Sequence, residues 1–284
     1  MFDFRIPLRD WIETAVRFLQ VELAGLFDGF SDTVQAVIGG LLNVFEAVPV
    51  LVMIAIIVLL VLWLTGWRLA LFAVLGLLLI ENIGLWTPFL STLALVVTAQ
   101  ILIVVVGLPL GILAASSNTA ERIMRPILDF MQTMPAFVYL IPAIMFFGVG
   151  MVPGVVATFV FALPPLVRLV NLGIRQVPAD LIEAADAFGS TRWQKLIKVQ
   201  FPVAMPTVLA GLNQSIMLNL SMVVIASMIG ARGLGTEVLR GIQRINVGQG
   251  FEAGLAVVIL AIILDRMTAA MGKRTEKKTR AQDG

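Results

Sequence analysis

The sequence predicts an all-α bundle of membrane-spanning helices, with about seven spans. Three observations carry that expectation. The chain has 284 residues, of which 59% are hydrophobic and 13% charged, about half the charged share of a soluble domain. Its mean hydropathy is +0.98. Apolar runs recur at 48–64, 69–86, 89–115, 131–149, 153–173, 203–229 and 251–268, several of them near the roughly 20 residues that cross hydrocarbon as a helix. Backbone polar groups in hydrocarbon must bond within their own segment, which makes these runs helices.

Each element follows in order. Residues 1–47 form an N-terminal tail. Within it Leu8, Trp11, Ile12, Ala15, Leu19, Leu23 and Leu26 share one face, opposite Arg9, Glu13, Arg17 and Gln20, the pattern of an amphipathic helix. A second pattern, Val34, Val37, Ile38, Leu41, Leu42 and Phe45, is interrupted by Gly39-Gly40. It suits either an interfacial position or packing on the other helices. The first residues lack the basic, apolar and small-residue regions of a signal peptide, so the N-terminus is expected to be mature. Residues 48–87 supply two spans and residues 88–272 a core of five. Pro109, Pro142 and Pro164-Pro165 are expected to bend or break their helices. A basic tail occupies 273–284.

Charge orients the bundle. Arg68, Arg122, Arg125, Arg168, Arg175, Arg192, Lys195, Lys198, Arg266, Lys273, Arg274, Lys277, Lys278 and Arg280 fall on one side of a seven-span arrangement. Only Arg5, Arg9, Arg17, Arg232, Arg240 and Arg244 fall on the other. The positive-inside rule then puts the C-terminus in the cytoplasm and the N-terminal tail outside. With no long basic block before the tail, nucleic acid is not an expected partner. The sequence contains neither His nor Cys, which removes imidazole and thiolate chemistry and the common metal sites. No metal site is expected. Few ionisable residues lie inside the spans; Glu81, Glu252 and Asp265 sit toward their ends, against a proton or sodium relay.

The longest polar interruption, residues 178–202, reads as helix, tight turn, helix. Pro178 suits a first turn and Ala179 to Phe188 are mostly helix formers. Gly189 is placed to take the left-handed conformation after the helix end. Thr191 and Gln194 have the spacing of a capping box, and Pro202 is expected to stop the second helix. Ala184 and Ala185 would let another surface approach closely, and Glu183 offers it a carboxylate. An amphipathic hairpin resting on the membrane suits the same residues equally well.

Glu183-Ala184-Ala185, then Gly189 and later Pro202, resemble the EAA motif of ABC importer permeases. Around them, the segments 131–155, 162–189, 198–235 and 257–268 resemble the glycine betaine/proline betaine branch of that family, in order, over roughly residues 88 to 272. The resemblance implies the type I ABC importer permease fold in a bacterial cytoplasmic membrane. It implies a non-catalytic subunit that works with two ATP-hydrolysing subunits, a second permease copy and a separate extracytoplasmic binding protein. The chain has no G-x-x-x-x-G-K-[ST] phosphate loop, so no cofactor is expected in it and ATP with Mg would be bound by the partner. Glu183, Ala184, Ala185 and Gly189 would couple that ATPase to alternating access. Glycine betaine, proline betaine, choline or carnitine would be the cargo.

Within the sixth run, Asn213, Gln214, Ser215, Asn219 and Ser221 are polar in an apolar helix. Asn213, Gln214, Asn219 and Ser221 are the candidates for a translocation path; interhelical hydrogen bonds explain the same residues. Trp63, Trp67 and Trp86, near span ends, are expected as interfacial anchors. The alternative functional class is an ion-coupled secondary carrier or channel. Such a protein would transport without any ATPase.

Overall fold

The computed structural model describes residues 7–280, and every regular element among them is helical. The predicted tail forms α1 (Leu8–Glu22) and α2 (Ala24–Ala47), separated at Leu23. Gly39-Gly40 does not interrupt α2. A glycine costs a helix only about 1 kcal/mol, and the neighbouring Val34 and Ile38 are buried against other helices. Next comes α3 (Val50–Thr65), at 106° to α2, and then α4 (Trp67–Asn82). Both α3 and α4 have 16 residues, about 24 Å of helix.

The core begins with α5 (Trp86–Ser116). The run at 131–149 is not one continuous helix. It is split among α6 (Asn118–Thr133), a short 3-10 turn (Ala136–Tyr139) and α7 (Leu140–Phe147), with 107° between the two halves. The break falls at Met134-Pro135, because proline holds the residue before it in extended backbone; Met134 has φ −70 and ψ 134. After α8 (Met151–Arg175) come α9 (Ala179–Ala187) and α10 (Arg192–Lys195). They are followed by α11 (Phe201–Ser227), α12 (Leu234–Gln243) and α13 (Val247–Arg280). Helical structure runs unbroken through Pro109 and Pro164-Pro165, and Pro142 sits in the first turn of α7, where no N–H is needed.

Packing fixes the direction of each core helix. A Cβ on Gly107 would lie 2.9 Å from Leu166, and one on Gly111 would lie 2.5 Å from Val170. α5 and α8 therefore run parallel and nearly backbone to backbone, a small-xxx-small contact. Two parallel neighbours in sequence need a return between them, and α6 with α7 makes it. Gln100 bonds Ser215 while Asn219 bonds the Val96 carbonyl, so α11 is antiparallel to α5. Asn213 meets Asp265 and Gly272 lies near Leu209, which makes α13 antiparallel to α11.

Two ends result. The starts of α5, α8 and α13 share one end with α12, and the N-terminal α2 packs there through Val34 and Ile38 on Leu95, Val152 and Ala231. The finishing ends of α5 and α8, the α9–α10 loop and the finish of α13 share the other. Among the described residues, four helices are long and apolar enough to cross a membrane, or up to six if each bent pair is one span. The seven apolar runs thus appear as a polytopic helix bundle in which α3 and α4 are short and the run 131–149 is bent at its break. Of the basic tail, residues 281–284 lie outside the described residues, as do residues 1–6 of the N-terminal segment.

Candidate functional site

The loop between α8 and α11 is an ordered helical hairpin. Pro178 precedes α9 with φ −52, and Gly189 ends it with φ +73. Ser190 N–H donates to the Ala185 carbonyl at 3.0 Å and Gly189 N–H to that of Asp186 at 2.9 Å. These bonds satisfy carbonyls that the end of a helix leaves free. The capping box is present: Thr191 N–H donates to Gln194 Oε1 at 2.9 Å, and Gln194 N–H to Thr191 Oγ1 at 3.3 Å. Lys195 Nζ reaches both Asp186 oxygens, at 2.6 and 2.8 Å, and ties the two arms together.

The second arm does not stop at Pro202. Instead α10 passes through a π turn, Leu196–Gln200, straight into α11, and Pro202 lies in the first turn of α11. A widened turn changes the hydrogen-bond register ahead of the proline, which then breaks nothing. The second arm is consequently an extension of α11, while the first arm, α9, is joined to α8 by three residues, Gln176, Val177 and Pro178. Glu183, Ala184 and Gly189 are exposed, while Ala185 is buried toward the hairpin's own second arm. The tip presents Phe188 at 92% exposure and Trp193 at 67%. A cavity of about 910 Å³, lined by Pro109, Leu113, Arg192, Trp193 and Gln200 among others, separates the second arm from the end of α5.

The polar residues of α11 divide into two sets. Asn213 donates to Asp265 Oδ1 at 2.9 Å and accepts from the Thr268 hydroxyl, which binds α11 to α13. Asp265, toward the end of the apolar run 251–268, is followed by further turns of α13. Asn219 is fully buried and donates to the Val96 carbonyl at 2.9 Å; its Oδ1 is unpartnered, as is Oε1 of Gln100 one turn along α5. Gln100, polar within the apolar run 89–115, is a residue that sequence reasoning passed over although its polarity was visible. Gln214 and Ser221 are exposed, on the same stripe as Met217 and Met228. Of the tryptophans, Trp63 and Trp67 are exposed, whereas Trp86 is buried and stacks on Phe89.

A polar network beside the hairpin also escaped the sequence pattern. Arg175, the last residue of α8, reaches Ala114 O at 2.9 Å, Asn118 Oδ1 at 2.8 Å, Asn171 Oδ1 at 2.9 Å and Glu121 Oε2 at 3.1 Å. Arg168, two turns earlier in α8, pairs with Asp129 of α6. Among the described residues no group of His, Cys, Asp and Glu could hold a metal ion.

Residues 107–277 match the family described as the binding-protein-dependent transport system inner membrane component. The chain is 53% identical to the glycine betaine/carnitine transport permease protein GbuB of Listeria monocytogenes, over 96% of this chain and 98% of that protein. It is 51% identical to the glycine betaine transport system permease protein OpuAB of Bacillus subtilis, over 97% of each. Identity to the glycine betaine/proline betaine permease protein ProW of Escherichia coli is 48%, over 96% of this chain and 77% of that one. Among solved structures, inward-facing MetNI methionine ABC transporter matches with a TM-score of 0.62 at 23% identity, over 67% of this chain and 95% of that chain.

Proposed function

The chain belongs to the binding-protein-dependent transport system inner membrane component family, and from that premise we propose that it is the permease subunit of an ATP-driven importer for glycine betaine or a related quaternary ammonium compound. The single observation that carries the mechanism is the hairpin 178–202. It is capped at both arms, exposed at its tip, continuous with α11 and joined to α8 by a short link. A partner that grips Phe188, Glu183 and Ala184 would move α8 and α11 together. Two ATPase subunits, holding ATP and Mg, would press on the hairpins of two permease copies and switch access from one side to the other.

Seven crossings fit this role: α3, α4, α5, the broken α6–α7 return, α8, α11 and α13. The end carrying the hairpin also carries most of the cations, so it faces the cytoplasm, and α1, α2 and α12 face outward toward a separate substrate-binding protein. The inner membrane of a bacterium and its lipids are the setting; nucleic acid is not a partner.

The path candidates separate on geometry. Asn213 and Asn219 hold helices together. Gln214 and Ser221 lie on an exposed stripe of a spanning helix, where polar groups are costly against lipid and acceptable against water or a second copy. Gln214 and Ser221 therefore supply weak, uncharged contacts for a methylated zwitterion.

The test is reconstitution of the chain with its ATPase and binding protein in liposomes. Substrate-stimulated ATP hydrolysis with uptake of labelled glycine betaine is expected. Uptake by this chain alone, without an ATPase, would return it to the secondary-carrier class.

A further inference from the structure

Motion of the hairpin has to reach the rest of the bundle through the helix ends beside it. We propose that Arg175 is the positioning residue that carries it, by holding the ends of α5, α6 and α8 in one joint. The inference rests on the coupling role of the hairpin.

Arg175 is the last residue of α8, and α9 begins four residues later. Its guanidinium makes four contacts that engage three helices: Ala114 O of α5, Asn118 Oδ1 and Glu121 Oε2 of α6, and Asn171 Oδ1 of its own α8. Asn171 Nδ2 in turn donates to Glu121 Oε1 at 3.2 Å, which closes the network. The Ala114 carbonyl lies in the last turn of α5 and has no partner within that helix, so the arginine also completes a helix end. Only a planar fork can serve these acceptors together; a lysine ammonium is a single point of charge.

The neighbouring contacts determine which parts this joint can move. α5 and α8 are packed too closely at Gly111 and Val170 to slide independently, because close-packed interiors do not deform gradually. α6 is different. It is bent by 107° from α7, it faces α8 across a cavity of about 320 Å³, and it is tied there by Arg175 and the Arg168–Asp129 pair together with Leu128, Met124 and Met131. The second arm of the hairpin meets the bundle elsewhere, through Leu196, buried in the same cluster as Val167 and Val170, and through its continuation into α11, while a cavity of about 910 Å³ lies between it and the end of α5. Load entering at α9 therefore reaches the close-packed α5–α8 pair at Arg175, which draws α6, the broken half of the return span, along with it.

The test uses the complete complex in proteoliposomes, with labelled glycine betaine and ATP hydrolysis measured together. Arg175→Lys should assemble and hydrolyse ATP, with uptake per ATP reduced about tenfold, within the usual range of coupling between sites. Asn118→Ala, which removes one acceptor and no charge, should lower the same ratio by less and guards against failure of the first variant to fold. An unchanged ratio in both variants overturns the inference, and so does a lower unfolding temperature with an unchanged ratio, which would make Arg175 a structural residue only. Gly189→Val serves as the control. If it transports normally, the hairpin reading itself fails; if it alone loses uptake, only the role of Arg175 falls.

Discussion

Gly189 has φ +73, a conformation that costs an L side chain about 1–2 kcal/mol. A Cβ there would meet nothing within 4 Å, so the penalty of a substitution is purely conformational. Gly189→Val should insert and express normally yet abolish uptake by the reconstituted complex, because the hairpin loses its cap. The residues of α11 allow a matched pair of experiments. Asn213→Leu removes the bond to Asp265 and should lower stability by about 0.6–1.7 kcal/mol, read as a reduced unfolding temperature in detergent. Gln214→Leu, on the exposed stripe, should leave that temperature unchanged and reduce uptake. Loss of stability in the second variant and not in the first would reverse the assignment of glue and path.

Helices in this chain are limited by packing more than by propensity. Gly111 shows the limit: its Cβ would lie 2.5 Å from the Cβ of Val170 and 3.0 Å from the Val167 carbonyl. Gly111→Leu should force α5 and α8 apart at a cost of about 1–3 kcal/mol or more, seen as a lower yield of monodisperse protein on size exclusion. Much of the element level was legible beforehand. The two caps of the hairpin were readable because capping is local: Gly189 and the Thr191/Gln194 spacing act within a few residues of where they stand. Pro202 and the run 131–149 were misread for the opposite reason. Whether a proline ends a helix depends on the turn before it and on what packs there. A π turn absorbed Pro202, while Pro135, not among the prolines expected to interrupt a helix, made the break.

At the scale of the whole molecule, the absence of cysteine is an experimental convenience, since any cysteine introduced is unique. Ser190→Cys at the hairpin and Ile245→Cys after α12 should react with a membrane-impermeant maleimide from opposite sides, Ser190→Cys only from the cytoplasmic one. Labelling of both from one side would refute the seven-crossing arrangement. Composition disclosed the solvent and the approximate number of runs, because hydrophobicity is a sum over residues. It did not disclose that α5 and α8 pack nearly backbone to backbone at Gly107 and Gly111 or that Arg175 joins three helices. Those are relations between residues far apart in sequence, and polar partners such as Asn118 and Ala114 O carry no mark of their pairing.

The broken return also bears on how such a chain enters a membrane during synthesis. α6 and α7 are separately too short, and α6 too polar on one face, to partition into lipid as stably as α5 or α8. A nascent chain that has reached residue 150 would therefore hold its last segment in an undecided orientation until α8 is made and docks on α5. A reporter fused after Gly150 should be found on both sides of the membrane, while one fused after Arg175 should adopt a single side, because the parallel pair acts as a late checkpoint in insertion.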